Sequence, residues 1–323
     1  MRAPDYFQRR DGIGRFLSPI SRLYAAIAHL RQRWVTPWLA PIPVICVGNI
    51  TAGGAGKTPV ALALGILLRD RGHEAHFLSR GYGGRLRGPV RVDPSTHTAR
   101  DVGDEPLLLA EVAPAWISRN RVAGAKAAIE AGATVIVMDD GLQNSALAKT
   151  ASLVVVDGGF GFGNGLVLPA GPLREPVAEG FARADAIVLM EPDTVGVAAE
   201  LKEASLPLIG ARMVPAAEAE NLTGRDVVAF AGIGRPEKFF ATLEDLGCRI
   251  ITKRGFPDHH DFTPDEIMRL VESARAAGAT LVTTAKDYAR LPREAQVMVE
   301  PVLVVLEWRN PQQIEDLLDQ ALL

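Results

Sequence analysis

One stretch limits what this chain can fold into more than any other. Val44, Ile45, Cys46 and Val47 run into Gly48-Asn49-Ile50 and then Thr51-Ala52-Gly53-Gly54-Ala55-Gly56, and Lys57-Thr58 opens a helical pattern. A β-branched run, a glycine-rich turn and a helix start make the strand–loop–helix unit of a phosphate-binding loop. Glycines let backbone N–H groups turn inward and approach phosphate oxygens, and the helix N-terminus adds the positive end of its dipole. In such a unit residues 51–58 surround the phosphates of a nucleotide. Lys57 reaches the β- and γ-phosphates, and the Thr58 hydroxyl serves Mg²⁺. The strict pattern starts with Gly five residues before Gly56, where this chain has Thr51, so Gly53 and Gly54 must supply the flexibility. A glycine-rich turn that merely precedes Lys-Thr is the bland alternative.

Around this unit, short β-branched runs alternate with helical stretches. Strands are expected at Val44–Val47, Ala75–Leu78, Thr134–Met138, Leu153–Val156 and Ala186–Met190, with helices at 57–71, 105–113 and 120–131. Such alternation builds βαβ units and a parallel sheet, and uninterrupted apolar strands suit a sheet covered on both faces. Arg212–Gly224 is polar and aperiodic, as a linker would be. Beyond it, strands are expected at Val227–Phe230, Arg249–Thr252, Thr280–Thr283 and Val302–Leu306, with helices near 236–246 and 264–277. The latter opens with a capping box carrying Pro at its first position, Thr263-Pro264-Asp265-Glu266. The expected class is α/β: a P-loop NTPase-like parallel sheet covered by helices over 41–215, a second, smaller α/β unit over 216–323, and an N-terminal amphipathic helix within 1–40.

The 323 residues carry a net charge of −3, which gives no reason to expect nucleic acid as a partner. Two cysteines, Cys46 and Cys248, cannot make a disulfide framework or a zinc cage. No run of eighteen uncharged apolar residues and no secretory leader is present, so a cytoplasmic location is expected. The charge is uneven: residues 1–40 hold seven arginines against Asp5 and Asp11, a local +5 that leaves −8 for the rest. Within 14–35, Phe16, Leu17, Ile20, Leu23, Tyr24, Ile27, Leu30 and Trp34 recur at helical steps among Arg15, Arg22, Arg31 and Arg33. Such a helix either lies on an anionic membrane surface through residues 14–38, with Trp34 and Trp38 at the interface, or packs on its own domain.

Four further places carry chemistry. Val135-Ile-Val-Met-Asp139-Asp140-Gly-Leu-Gln143 is an apolar strand ending in acids, a Walker-B-like element that offers Asp139, and after it Asp140, to Mg²⁺. Ser79-Arg80-Gly-Tyr82-Gly-Gly84 is a substrate loop or a plain surface turn. In Gly103-Asp104-Glu105-Pro106, Asp104 is a helix N-cap or a catalytic carboxylate. Phe256-Pro-Asp258-His259-His260-Asp261-Phe262 puts four titratable groups in one loop, where a histidine could tune an acid or base. Thr284-Ala-Lys286-Asp287 approaches the guanine-reading element, but its Lys and Asp are adjacent, which favours ATP.

In order and spacing these motifs, with Gly171-Pro-Leu-Arg174-Glu175, resemble the tetraacyldisaccharide 4′-kinase family of lipid A biosynthesis over roughly residues 40–290. Thr51 at the departing position is what that family's loop also shows. The resemblance implies transfer of the γ-phosphate of Mg-ATP to the 4′-hydroxyl of a tetraacylated glucosamine disaccharide 1-phosphate, at the cytoplasmic face of the inner membrane. It implies that Asp104 is the catalytic carboxylate and that His259 (or His260) pairs with it from the second unit; because the two lie in different units, the pair is expected to form only when the units close. It also implies that Arg80, Tyr82, Arg121, Gln143 and Arg174 face the acceptor. The competing function is a P-loop nucleotide-switch ATPase or GTPase acting through a protein partner; it would need neither the Asp104–His259 pair nor lipid.

Overall fold

The computed structural model describes residues 4–8 and 12–323; Asp11 and the side chains of Asp5, Arg31 and Arg33 lie outside the described residues. Two sheets organise the chain. The larger contains β1 (Val44–Gly48), β2 (Ala75–Ser79), β3 (Val90–Arg91), β4 (Ala115–Ile117), β5 (Val135–Asp139), β6 (Ala151–Asp157), β7 (Ala186–Glu191) and β8 (Leu208–Pro215). The smaller contains β9 (Asp226–Ala231), β10 (Arg249–Gly255), β11 (Thr280–Thr284) and β12 (Glu300–Val302), and β13 (Val304–Trp308) returns to the larger. The large sheet runs β13-β8-β7-β6-β1-β5-β2-β4-β3, parallel except for its two antiparallel edges β13 and β3.

Every residue of β1, β5 and β6 is buried, because helices cover both faces. On one face Ile45, Val47, Val135 and Val137 meet Val60, Leu64 and Leu68 of α2 (Lys57–Asp70), together with Ile314 and Leu318 of the C-terminal helix Pro311–Leu322. On the other, Val44, Cys46, Ile136 and Met138 meet Ala125 and Ala128 of the helix Arg121–Glu130. The small sheet, ordered β10-β9-β11-β12 and wholly parallel, repeats the scheme. Phe239, Phe240 and Leu243 cover one of its faces, and Ile267, Leu270 and Val271 the other. Thr263 and Glu266 form the expected capping box.

Three expectations change. Residues 212–215 of the expected linker are the end of β8, which pairs with β7 on one side and β13 on the other. Val302–Leu306 is not one strand of the second unit: β12 ends at Val302 and β13 starts at Val304, in a different sheet. The second unit therefore does not extend to 323, since β13 completes the edge of the large sheet and Ile314, Leu318 and Ala321 are buried in the large unit's core. A short apolar run cannot declare which sheet it joins; the free edge of β8 and the open α2 face decide it.

The N-terminal helix α1 (Gly12–Arg33) matches the expected amphipathic segment. It meets the body through small residues: Gly14 and Ser21 are buried, and Ser21 Oγ accepts from Ala170 N at 3.0 Å. Its large apolar side chains point the other way. Phe16 is 81% exposed, Leu23 62%, Ile27 57% and Ile20 53%. Among the described residues no helix is long and apolar enough to cross a membrane.

Candidate active site

The carboxyl edge of the large sheet carries the phosphate loop. β1 lies between β5 and β6, so its carboxyl end opens where the parallel strands deliver their loops. Gly53 (φ 116°) and Gly56 (φ 94°) take left-handed conformations, and a Cβ on Gly56 would meet the Met190 side chain at 3.1 Å. The loop is braced from outside as well. Ala52 N donates to Pro172 O at 2.7 Å, and Arg174 N to Ile50 O at 2.7 Å. Asn49, fully buried, donates from Nδ2 to Thr51 Oγ1 at 3.2 Å. Thr51 thus belongs to the loop's internal bracing, which explains why glycine is not required there.

Lys57 and Thr58 open α2, both buried, against the end of β5. Thr58 Oγ1 donates to Asp139 Oδ2 at 3.0 Å. Asp139 Oδ1 is enclosed with no hydrogen-bond partner. Burial pushes the Asp139 carboxyl well above its usual range, and the charge of nearby Glu105 adds to this while Lys57 opposes it. An enclosed carboxylate with one unpartnered oxygen beside a hydroxyl suits a divalent cation, whose charge would stabilise the ionised form. Among the described residues no three His, Cys, Asp or Glu form a metal cage. Mg²⁺ needs none, because it is held by one or two side chains plus substrate phosphates and water.

Asp140, in the left-handed region at φ 53°, turns away from Asp139 toward cations. Its Oδ1 lies 3.7 Å from Lys57 Nζ and accepts from Arg174 Nη1 at 2.9 Å. Arg174 also donates to Gln143 Oε1 at 3.3 Å, and Gln143 Nε2 donates to Asn49 O at 2.8 Å and Glu175 Oε1 at 2.9 Å. Gln143 is therefore bonded at both ends to the chain and acts as a strut between the phosphate loop and the Glu175 segment. Arg121, 4% exposed, donates to the Ser118 carbonyl; burial lowers its guanidinium to about 10 and Asp140 partly opposes this. Arg80 and Tyr82 are exposed at the rim, and the Tyr82 ring stands edge-on to His259 with centroids 6.1 Å apart.

The second unit closes on this edge. Asp104 starts the helix Asp104–Ala110, but its N-cap is Gly103, so Asp104 is not the cap. It is 4% exposed, and its Oδ1 accepts from Glu105 N at 3.0 Å. Around Oδ2 stand His259 Nδ1 at 3.1 Å, Lys286 Nζ at 3.7 Å and Arg290 Nε at 3.8 Å, although none makes an aligned hydrogen bond. Burial alone would raise the Asp104 carboxyl, yet the His259 contact and the charges of Lys286, His259 and Arg290 outweigh it and hold the group at about 2. His260 goes elsewhere: it stacks on Phe256 at 4.8 Å and lies 3.1 Å from Glu266 Oε2, inside its own unit. Lys286 and Arg290 were missed by the sequence reasoning, which weighed Thr284–Asp287 only as a base-reading element. On the far side of the interface Arg235 and Lys238 pair with buried Asp157 at the end of β6, Lys238 Nζ at 3.1 Å.

The chain is similar along nearly its whole length to proteins of one family. The model of the LpxK family, tetraacyldisaccharide-1-P 4′-kinase, matches residues 13–323. The tetraacyldisaccharide 4′-kinase of Rhodospirillum centenum is 53% identical over 98% of this chain and 96% of its own length; that of Rhodospirillum rubrum is 51% identical over 100% and 98%. The crystal structure of LpxK from Aquifex aeolicus in complex with ATP matches with a TM-score of 0.78 at 27% identity, covering 96% of this chain and 100% of that one. With the loop, the acids of β5 and the whole-length likeness together, the chain belongs to the tetraacyldisaccharide 4′-kinase family and is a kinase.

Proposed function

We infer that, as a member of that family, the chain transfers the γ-phosphoryl group of ATP to the 4′-hydroxyl of a tetraacylated glucosamine disaccharide 1-phosphate. The observation that carries the mechanism is the convergence of two sets of groups on one sheet edge: the phosphate loop with Thr58 and Asp139, and the Asp104–His259 pair. Phosphoryl transfer needs positioning and charge neutralisation more than covalent chemistry. Residues 51–58 bind the triphosphate through backbone N–H groups, and Lys57 neutralises charge on the group in transfer. Thr58 and Asp139 hold Mg²⁺, while Asp140 orients Lys57 and Arg174. Bound there, the ion supplies Lewis-acid charge neutralisation at the phosphates. Asp104 accepts the proton of the acceptor hydroxyl, and His259 orients the carboxylate. Arg80 and Tyr82, exposed at the rim, meet the sugar and its phosphate together with Arg174, which Gln143 holds in place; buried Arg121 adds its charge near Arg80.

The acceptor is a lipid, and α1 fits a lipid surface. Seven of its large apolar residues (Ile13, Phe16, Ile20, Leu23, Tyr24, Ile27 and Leu30) are exposed along one side, with Arg15 and Arg22 exposed beside them. Each such side chain gains about 1.5–3 kcal/mol on full burial, so a bilayer interface is a stronger partner for this face than water. We therefore place α1 on a membrane surface, and family membership points to the cytoplasmic face of the inner membrane as that surface. Phe16→Asp with Leu23→Asp should abolish sedimentation with anionic vesicles while leaving the fold intact; unchanged sedimentation would refute the docking role.

The direct test is transfer from γ-labelled ATP to tetraacyldisaccharide 1-phosphate in mixed micelles. Wild type should yield a doubly phosphorylated lipid, and Asp104→Ala should lose about a hundredfold or more, the scale of a general base. ATP hydrolysis without any lipid product would favour the nucleotide switch instead.

A further inference from the structure

We infer that Lys286 is a positioning residue of the reaction: by donating to His259 Nε2 it holds the imidazole in the tautomer that carries its proton on Nδ1, facing Asp104. The inference rests on the Asp104–His259 pair proposed above. Lys286 Nζ lies 3.5 Å from His259 Nε2, and His259 Nδ1 lies 3.1 Å from Asp104 Oδ2. A lysine ammonium can only donate, so the ring nitrogen facing it must be the acceptor. A neutral imidazole has one donor and one acceptor nitrogen, so its proton falls on Nδ1. A small ring rotation then completes the hydrogen bond to Asp104, as acid–base contacts commonly tighten once substrate is bound.

The groups around the ring support this polarity. His259 faces Asp104 and the Tyr82 ring on one side, and on the other Lys286 and Asp258, whose Oδ1 is 3.9 Å from Nε2. Asp258 would favour a proton on Nε2; Lys286 is closer and opposes it. Burial pulls the Lys286 ammonium toward neutrality, but Asp104, Glu105 and Asp258 outweigh this and keep it charged.

The position of Lys286 is built in by its own turn. Thr284 Oγ1 accepts from Asp287 N at 3.0 Å and donates to Asp287 Oδ2 at 2.7 Å. Asp287, fully buried, accepts from Gly232 N at 3.0 Å. The carbonyl of Gly232 receives both Arg290 Nη2 at 2.8 Å and the backbone N–H of His259 at 3.1 Å. One residue, Gly232, thus registers the lysine turn against the histidine loop, and the Thr-x-Lys-Asp spacing that fails as a base reader succeeds as a bracket. His259 itself sits at φ 57°, a left-handed strain that this bracket must hold.

The test reads the ring directly. In full-length protein labelled with ¹⁵N-histidine, the His259 ring signals are assigned by their loss in His259→Gln. The expected wild-type spectrum, without acceptor, shows Nδ1 protonated and Nε2 bare at a pH where the ring is neutral. A wild-type ring with the proton on Nε2 overturns the inference, whatever any variant does. Lys286→Met should move the proton to Nε2 or charge the ring, and should lower kcat about ten- to a hundredfold. KM for ATP should stay unchanged, and Lys286→Arg should restore most of the loss. An unaltered tautomer in Lys286→Met, or a loss seen mainly in KM for ATP, would also overturn it. Should Lys286→Met fail to fold, Lys286→Gln replaces it with the same criteria. Because the tautomer is read without acceptor, its failure leaves lipid phosphorylation standing, and a failure of lipid phosphorylation leaves the tautomer standing.

Discussion

The two units meet at one cleft but contribute to it in opposite ways. The large unit's share is made by backbone: a strand buried between neighbours, a loop turned by glycines and pinned by Pro172 O and Asn49, and a helix start. The small unit's share is made by side chains that cross a boundary: His259, Lys286 and Arg290 around Asp104, and Arg235 and Lys238 around Asp157. In the proposed mechanism nucleotide handling therefore rests on one unit alone, whereas proton handling needs both. The carboxylates Asp104 and Asp157 are buried in the large unit without enough partners of their own, so the small unit supplies charge the large one lacks.

Three measurements break or sharpen that contrast. Lys57→Met strikes the large unit's share and should cost about 10²–10³ in kcat, the scale of a lost charge-stabilising donor, together with ATP affinity. Full ATP affinity in that variant would mean the loop does not act alone. Asp104→Asn strikes the union of the two. The folded carboxyl, at about 2, lies below its ordinary 3.8, so its contribution is present above about 4 and is lost as pH falls through about 2. Urea melts should show the variant about 2 kcal/mol less stable at pH 7, with the gap closing toward pH 2. A gap independent of pH would remove charge from the explanation. Arg235→Ala should cost only about 1 kcal/mol, because Lys238 remains with Asp157; a loss several times larger would make that corner the main clasp.

The large unit was legible for the same reason it is self-contained. Apolar runs, glycines and Gly56-Lys57-Thr58 are local signals, and they read correctly as β1, the loop and α2. Asp139 was legible because it ends an apolar strand. Lys286 was not, since nothing in Thr284–Asp287 tells which surface its side chain will meet across an interface. His259 and His260 make the same point: adjacent in sequence, one reaches Asp104 and the other Glu266, and the choice depends on a left-handed φ at His259. Periodicity likewise found the N-terminal amphipathic face without saying what covers it, and left the C-terminal one, on the helix Pro311–Leu322, unread. Ile314 and Leu318 are covered by the sheet, while Phe16 and Leu23 are left exposed.

The late return of β13 has a mechanical consequence. The chain leaves the large sheet after Pro215 and re-enters at Val304, and these two residues are partners on the same ladder, with Ala216 N donating to Leu303 O at 2.9 Å. The small unit thus hangs on both of its ends from a single rung, as a door hangs from one pin. His259 and Lys286 both belong to the stretch of chain held between Pro215 and Val304, so any displacement of that stretch moves both relative to Asp104 together.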